Sequence, residues 1–349
     1  MYFLVRQLLF QKDPEQAHDY VVSILKKQKN VTQKFSFLFR HSSENLKRTV
    51  WGMEFPNPLG LAGGFDKTGE LYEVLSYLGF GFIECGTFTP LPQEGNPKPR
   101  LFRYPKYGAI VNRMGFNNPG VDAASRTFQL QRKTIPRGIS IGKNKTTPNE
   151  RAMEDYLLAF EKLHPFADYI AINVSSPNTP QLRDLQQSKE LLDFVKLLKD
   201  KSKTQKQVPI LIKLSPDLDN KMFFSLLEVY LDAGVDGIIL TNTTTRKFNQ
   251  YQIHEEGGIS GLPLKIIATD MIKKAYKFTS GKIPIIGVGG IFDGKDALEK
   301  IMAGASLIQI YTGLVYRGPF LPKKILSFLD NFLEKENTTL NEITGINAK

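Results

Sequence analysis

Eight short apolar runs, separated by stretches of helical periodicity, constrain this 349-residue chain more than any other feature. They are Leu59 to Ala62, Gly81 to Gly86, Gly138 to Ile141, Tyr169 to Val174, Pro209 to Leu214, Gly237 to Thr241, Ile283 to Val288 and Leu307 to Tyr311. Most are continuously hydrophobic rather than alternating, the pattern of strands covered on both faces of a parallel sheet. Parallel neighbours need crossover connections, and the amphipathic stretches between the runs supply helices for them. A count of eight predicts an α/β fold of the closed (β/α)8 TIM barrel type rather than an open doubly wound sheet. Residues 49–340 are assigned to the barrel, 1–48 to an N-terminal helical extension and 341–349 to a C-terminal tail. Pro90 to Met114 and Thr244 to Leu262 read as insertions.

With 41% hydrophobic and 23% charged residues, the chain can bury a full core, which excludes wholesale disorder and collagen-like or coiled-coil architectures. A single cysteine, Cys85, excludes a disulfide framework and a cysteine-cluster metal site, and fits a reducing compartment. The four histidines (His18, His41, His164, His254) are not at metal-ligand spacing, so no catalytic metal is expected. The net charge of +11 raises nucleic acid, an anionic membrane surface and anionic small ligands as partners. Position separates them. Residues 1–48 hold nine Lys/Arg against four Asp/Glu, while no Lys/Arg stripe interleaved with aromatics is visible, so no nucleic acid is expected.

Within the extension, Tyr2 to Phe10 is apolar except for Arg6 and Gln7, far short of the roughly 20 residues a spanning helix needs. It carries no small-residue cleavage site, and neither a signal peptide nor a transit sequence is expected. Asp13 followed by Pro14 reads as an N-cap and first helical residue, with Gln16 placed as capping partner. Ala17, Val21, Ile24 and Leu25 then recur on one helical face, and Val31, Phe35, Leu38 and Phe39 repeat the spacing. These faces either dock on the barrel or lie on a membrane surface, with Lys26, Lys27, Lys29 and Lys34 near the headgroups.

In such barrels chemistry is built where strands end. The residues there include Gly63, Gly64, Asp66, Lys67, Thr87, Ser140, Asn173, Ser176, Asn178, Lys213, Thr241, Asn242, Thr243, Gly289, Gly290, Tyr311 and Thr312, nearly all lysine, amide, hydroxyl and glycine. That chemistry suits an anionic, hydrogen-bonding ligand, with phosphate expected on the glycine turns after the last two strands. Lys213 interrupts an apolar run, and burying its ammonium without an anionic partner is costly, which points to a ligand. A Schiff-base aldolase barrel using Lys213 or Lys67 as nucleophile is an alternative on these residues.

Six motifs carry a more specific signal: Gly63-Gly64-Phe65-Asp66-Lys67, Asn112-Arg113-Met114-Gly115-Phe116, Ile172-Asn173-Val174-Ser175-Ser176-Pro177-Asn178-Thr179, Leu240-Thr241-Asn242-Thr243-Thr244, Gly257-Gly258-Ile259-Ser260-Gly261 and Ile285-Ile286-Gly287-Val288-Gly289-Gly290. In this order and spacing, across essentially the whole chain, they resemble the dihydroorotate dehydrogenase family. Ser176 and the helical extension resemble its class 2, the membrane-associated, quinone-reducing branch. The resemblance implies FMN held by Gly63, Gly64, Phe65, Asp66, Lys67, Thr87, Asn173, Lys213, Thr241, Gly261, Gly290, Tyr311 and Thr312. It implies dihydroorotate held by Lys67, Asn112, Arg113, Met114, Gly115, Phe116, Asn173, Asn178, Asn242 and Thr243, with residues 112–116 closing over it. Ser176 would take the C5 proton while the C6 hydride passes to FMN, giving orotate for pyrimidine (UMP) biosynthesis, and a membrane quinone would accept the electrons. A monomer is implied, bound peripherally to an anionic lipid surface on the cytoplasmic side of a bacterial inner membrane. One departure stands out: the family's third-strand asparagine is Ser140 here, whose shorter reach bears on flavin affinity.

Overall fold

The computed structural model describes residues 2–178, 182–183, 189–203 and 206–348; Thr179, quoted above, lies outside them. Eight parallel strands close into a barrel, in the order of the eight apolar runs. They are β1 (Leu59–Asp66), β2 (Phe82–Phe88), β3 (Arg137–Ile141), β4 (Tyr169–Asn173), β5 (Ile210–Leu214), β6 (Gly237–Leu240), β7 (Ile285–Val288) and β8 (Leu307–Ile310). Closure is made by β8 pairing with β1, Ile308 opposite Leu59.

Side-chain alternation along these strands divides the molecule into two cores. Outward residues such as Ile83, Ile139, Ile170, Ile212, Ile238, Ile285 and Ile308 pack under the surrounding helices. Inward residues Phe82, Tyr169, Ala171, Leu211, Ile239, Ile286 and Leu307 fill the barrel axis. The base is stoppered by an antiparallel strand pair, Arg48–Val50 with Met53–Phe55. Phe55 meets Phe82 edge-on at 5.5 Å, and the Trp51 indole donates to the carbonyl of Asp236 at 2.6 Å. The short helix Leu340–Ile343 is opened by a capping box between Thr339 and Glu342.

At the opposite end the two insertions meet. Leu101–Tyr104, Ala109–Asn112 and Gly258–Gly261 form a three-stranded antiparallel sheet, with Gly258 opposite Asn112. Residues far apart in sequence thereby make one cover for the barrel mouth.

The extension folds as α1 (Tyr2–Phe10), α2 (Pro14–Lys27) and α3 (Lys29–Lys34). Asp13 caps α2 by accepting from the backbone N–H of Glu15 and Gln16 at 2.9 and 3.1 Å. The second periodic stretch, expected to run helically to Phe39, stops at Lys34 and continues as a single 3-10 turn over Ser36–Leu38. The Phe-Ser-Phe run there has weak helix preference. Both docking and exposure occur. Glu15, 7% exposed, pairs with Arg100 at 2.7 Å, and Lys26 and Lys29 pair with Glu70 and Glu73. Two of the four lysines expected near headgroups are thus engaged by the barrel. Meanwhile Phe3, Leu4, Leu8 and Phe37 stay 57–67% exposed. No described helix is long and apolar enough to cross a membrane.

Helix α1 is held at three points. The Tyr2 hydroxyl donates to the carbonyl of Val315 at 2.6 Å, Arg6 donates to that of Tyr316 at 3.1 Å, and Arg103 donates to the carbonyls of Leu9, Phe10 and Lys12. Val315 and Tyr316 belong to the short helix Thr312–Arg317. Among the anchors of the extension, the buried Glu15–Arg100 pair weighs most, because removing one partner strands a desolvated charge at a cost of about 3–5 kcal/mol. Lys98, 3.4 Å from Glu15, offsets part of that. Arg100→Met should therefore destabilise the fold by about 2–3 kcal/mol, read as a lower Tm together with faster proteolysis in the first 40 residues; an unchanged melt would remove the pair from this role.

Candidate active site

Strand alternation decides which side chains reach the mouth. One step above the axial apolar layer, the same inward positions carry Lys213 on β5 and Gln309 on β8, with Asn173 ending β4 and Thr241 following β6. All four line a cleft between the strand ends and the three-stranded cover, enclosing about 1120 Å³ free of protein atoms, mouth included.

At one end lie Gly289, Gly290, Ser260, Gly261, Thr312 and Gly313. Gly290 has φ +73°, and a Cβ there would sit 2.5 Å from the Cα of Lys265, so only glycine lets this turn close. The Ser260 and Thr312 hydroxyls are bonded at 2.8 Å. The helix after β7, Gly294–Met302, has two of its first N–H groups capped by Asp293. The cradle is therefore the glycine turn and the Thr312–Gly313 corner, not the start of that helix.

At the other end lie Lys67, Asn112, Ser176, Asn178, Asn242 and Thr243. Asn178 donates its amide to Asn112 Oδ1 at 3.1 Å, and Asn112 donates to the carbonyl of Gly258 at 3.2 Å. Asn242 donates to Asn173 Oδ1 at 3.2 Å and to Ser175 Oγ at 2.9 Å, and Asn173 donates to Thr87 Oγ1 at 3.0 Å. Each amide is oriented by a neighbour, so the polar wall is preorganised. Ser176, 6% exposed, accepts at Oγ from the backbone N–H of Asn178 at 3.3 Å. Burial pulls the Lys67 ammonium down to about 8. Met114, Gly115 and Phe116 form the lip. Phe116 sits at φ +54°, where its carbonyl accepts from the Asn118 amide at 2.7 Å, a backbone conformation that surrounding contacts must impose.

Gly63, Gly64, Thr87 and Tyr311 also line the cleft, but three residues of the expected set do not. Arg113 turns outward, donating to the carbonyls of Pro99 and Glu256 and stacking on Phe102. Phe65 packs between His18 and Tyr311. Asp66 accepts from the backbone N–H of Leu71 at 3.1 Å and from the Thr68 hydroxyl, and burial pushes its carboxyl up to about 6. It shapes the turn that presents Lys67. Ser140 also lies behind the wall, its hydroxyl 2.9 Å from that of Thr87, so it buttresses the cleft through its neighbour.

Sequence reasoning did not single out Gln309, Ser260, Asn117, Leu101 or Ile110, all of which line the cleft. Gln309 carried a legible signal, a lone amide between Ile308 and Ile310; the cover residues depend on pairing between the two insertions. It also missed Arg183 and Asp217. Arg183 donates to the carbonyls of Ser175 and Thr243 and pairs with Asp217 at 2.8 Å, tying the turn after β4 to those after β5 and β6. Burial would raise the Asp217 carboxyl, but hydrogen bonds from Thr244, Thr245 and Arg183 outweigh it and hold it below the ordinary range.

A cleft of this composition at the C-terminal end of a parallel barrel can be compared with known proteins. The family model described as dihydroorotate dehydrogenase matches residues 45–333. The chain belongs to the dihydroorotate dehydrogenase family. Among curated relatives, "dihydroorotate dehydrogenase (quinone)" of Marinobacter nauticus is 46% identical over 331 residues, covering 92% of this chain and 96% of the relative. The protein of that name from Gloeobacter violaceus is 43% identical and covers 99% of this chain and 98% of its own. The crystal structure of DHODH from Eimeria tenella in complex with ferulenol aligns with a TM-score of 0.89 at 35% identity, covering 97% of this chain and 96% of that one. Membership in the dihydroorotate dehydrogenase family agrees with the motifs and with the barrel.

The Arg183 clamp yields a test that needs no activity. Losing its three anchoring contacts should ease local opening by about 1.4 kcal/mol, a factor of ten. Arg183→Met should therefore raise amide exchange at residues 175–178 about tenfold while exchange in β4 and β5 is unchanged; equal exchange in both proteins would show that the clamp holds nothing.

Proposed function

We propose that this chain oxidises dihydroorotate to orotate with FMN in the cleft and a membrane quinone as electron acceptor. The observation that carries this reading is the convergence of Ser176, Lys67 and five asparagines on one cleft that also holds Lys213 and a glycine turn. The donor set fits the cofactor. The Gly290 turn and the Thr312–Gly313 corner suit its phosphate, and Lys213, Asn173, Thr87 and Thr241 suit its ring polar atoms. Gln309 supplies a further sign: its Oε1 is buried with no partner in the protein, an acceptor that a bound N–H would satisfy. FMN supplies hydride acceptance and onward electron delivery when bound.

The chain's own residues handle the proton and the charge. Ser176 Oγ takes the proton from C5 as its own hydroxyl proton is relayed outward to solvent. Its bond from the Asn178 N–H stabilises negative charge on that oxygen. Lys67 pairs with the substrate carboxylate, and the asparagine amides offset enolate-like charge as it develops. Met114 to Phe116 exclude water from the reacting edge. A Schiff-base role for Lys213 is disfavoured because its amine is engaged by Glu84 at 3.5 Å beneath the cleft floor. The exposed Phe3, Leu4, Leu8 and Phe37, close to the basic extension, suit shallow insertion into an anionic bilayer from which quinone reaches the cleft.

The purified protein should be yellow and should bleach on anaerobic dihydroorotate. Ser176→Ala should keep its colour and its affinity for orotate while bleaching at least about 10²-fold more slowly in stopped flow; a colourless wild type that refuses added FMN overturns the reading. Lys67 gives a pH test. Its ammonium is charged below about 8, so kcat/KM for dihydroorotate should fall as pH rises through about 8. A profile flat to pH 9.5 would exclude Lys67 as the carboxylate's partner.

A further inference from the structure

Beneath the cleft floor lies a carboxylate that the mechanism above does not use. Glu84 on β2 is fully buried, at 0% exposure. Its Oε1 is 3.5 Å from Lys213 Nζ, and its Oε2 accepts from Gln309 Nε2 at 2.9 Å and from the Tyr169 hydroxyl at 3.1 Å. Gln309 also donates to the Tyr169 oxygen at 3.2 Å, closing a ring of three side chains to which Lys213 is attached through the carboxylate, so that four strands contribute. Room for it is made by Gly63, where a Cβ would stand 2.4 Å from Glu84 Oε1. A bare carboxylate in the axis of a barrel is costly, and removing its partner leaves an uncompensated charge. Two of its neighbours, Lys213 and Gln309, line the cleft directly.

We propose that Glu84 is the fixed counter-ion of Lys213 and, through it, sets the redox poise of the flavin bound above. The inference rests on the reading that flavin occupies this cleft. Reduction adds negative charge over the floor. An unpaired ammonium there would stabilise that charge strongly at low local dielectric, and Glu84 reduces this effect by opposing it from below. The pair keeps a lysine donor on the floor without leaving a full positive charge to hold the reduced state. Glu84 touches neither substrate nor cofactor, so it is a positioning residue acting through Lys213 and Gln309.

The test is the two-electron midpoint potential of the flavin-loaded enzyme at pH 7. Glu84→Gln keeps the shape and the hydrogen bond from Gln309 but removes the charge. It should raise the preference for reduced over oxidised flavin at least tenfold, a positive shift of about 30 mV. Tyr169→Phe, which loses a bond to the same carboxylate but no charge, should leave the potential in place. A purely structural role would change the stability of both variants and the potential of neither. A flavin-loaded Glu84→Gln with the wild-type potential overturns the proposal. Should that variant lose its flavin, thermal unfolding decides. Glu84→Gln should lower Tm, and adding Lys213→Gln should recover at least half of the loss because no charge is then stranded; no recovery refutes the pairing. A wild type that binds no flavin sinks the reading of the cleft, while the melting comparison still tests the ion pair.

Discussion

The structure depends on one geometric constraint, the two-residue period of strands closed into a barrel. Each strand hands alternate side chains to a shared axis, and the axis is too narrow for choice. At the base that parity delivers Phe82, Tyr169, Leu211, Ile239, Ile286 and Leu307, sealed beneath by Phe55. Two residues further along β2, β5 and β8 it delivers Glu84, Lys213 and Gln309. The cleft is therefore the continuation of the core in a different chemistry, and the apolar layer below keeps water from reaching its floor.

Ion pairs in the molecule differ in weight according to burial. Arg151–Glu154 and Lys201–Glu161 lie on the surface, where such pairs contribute little. Glu15–Arg100 and Glu84–Lys213 sit out of water, at the base of the extension and under the cleft, and Arg183–Asp217 is half-buried at its rim. Their value lies less in net stability than in fixing which of several arrangements a flexible side chain adopts. Each stands where a loop or a ligand group needs a defined position.

All eight strands were legible in the sequence because a buried parallel strand writes its signature locally, as a short apolar run between helical stretches. The cover sheet was not, since Leu101–Tyr104 and Gly258–Gly261 join through pairings that no local pattern records. Lys213 was conspicuous within Ile-Leu-Ile-Lys-Leu, yet the partner expected for it was a ligand; Glu84 showed a similar interruption in Phe-Ile-Glu-Cys but was read only as part of its strand. Arg183 and Asp217 lie in turns where charged residues are ordinary, so nothing marked them out. For Arg113, Phe65 and Asp66 the motif placed the backbone near the site, but the direction of each side chain is set by Phe102, His18 and Leu71, distant or off-pattern neighbours.

The helix Thr312–Arg317 has a consequence for how the two ends of the molecule communicate. Its first residues form a corner of the cleft, and less than two turns away its carbonyls are grasped by Tyr2 and Arg6. So short a rod has no slack. Any tilt of the leading helix is therefore felt at the wall beside Thr312, so that whatever its exposed greasy side meets becomes a mechanical neighbour of the chamber.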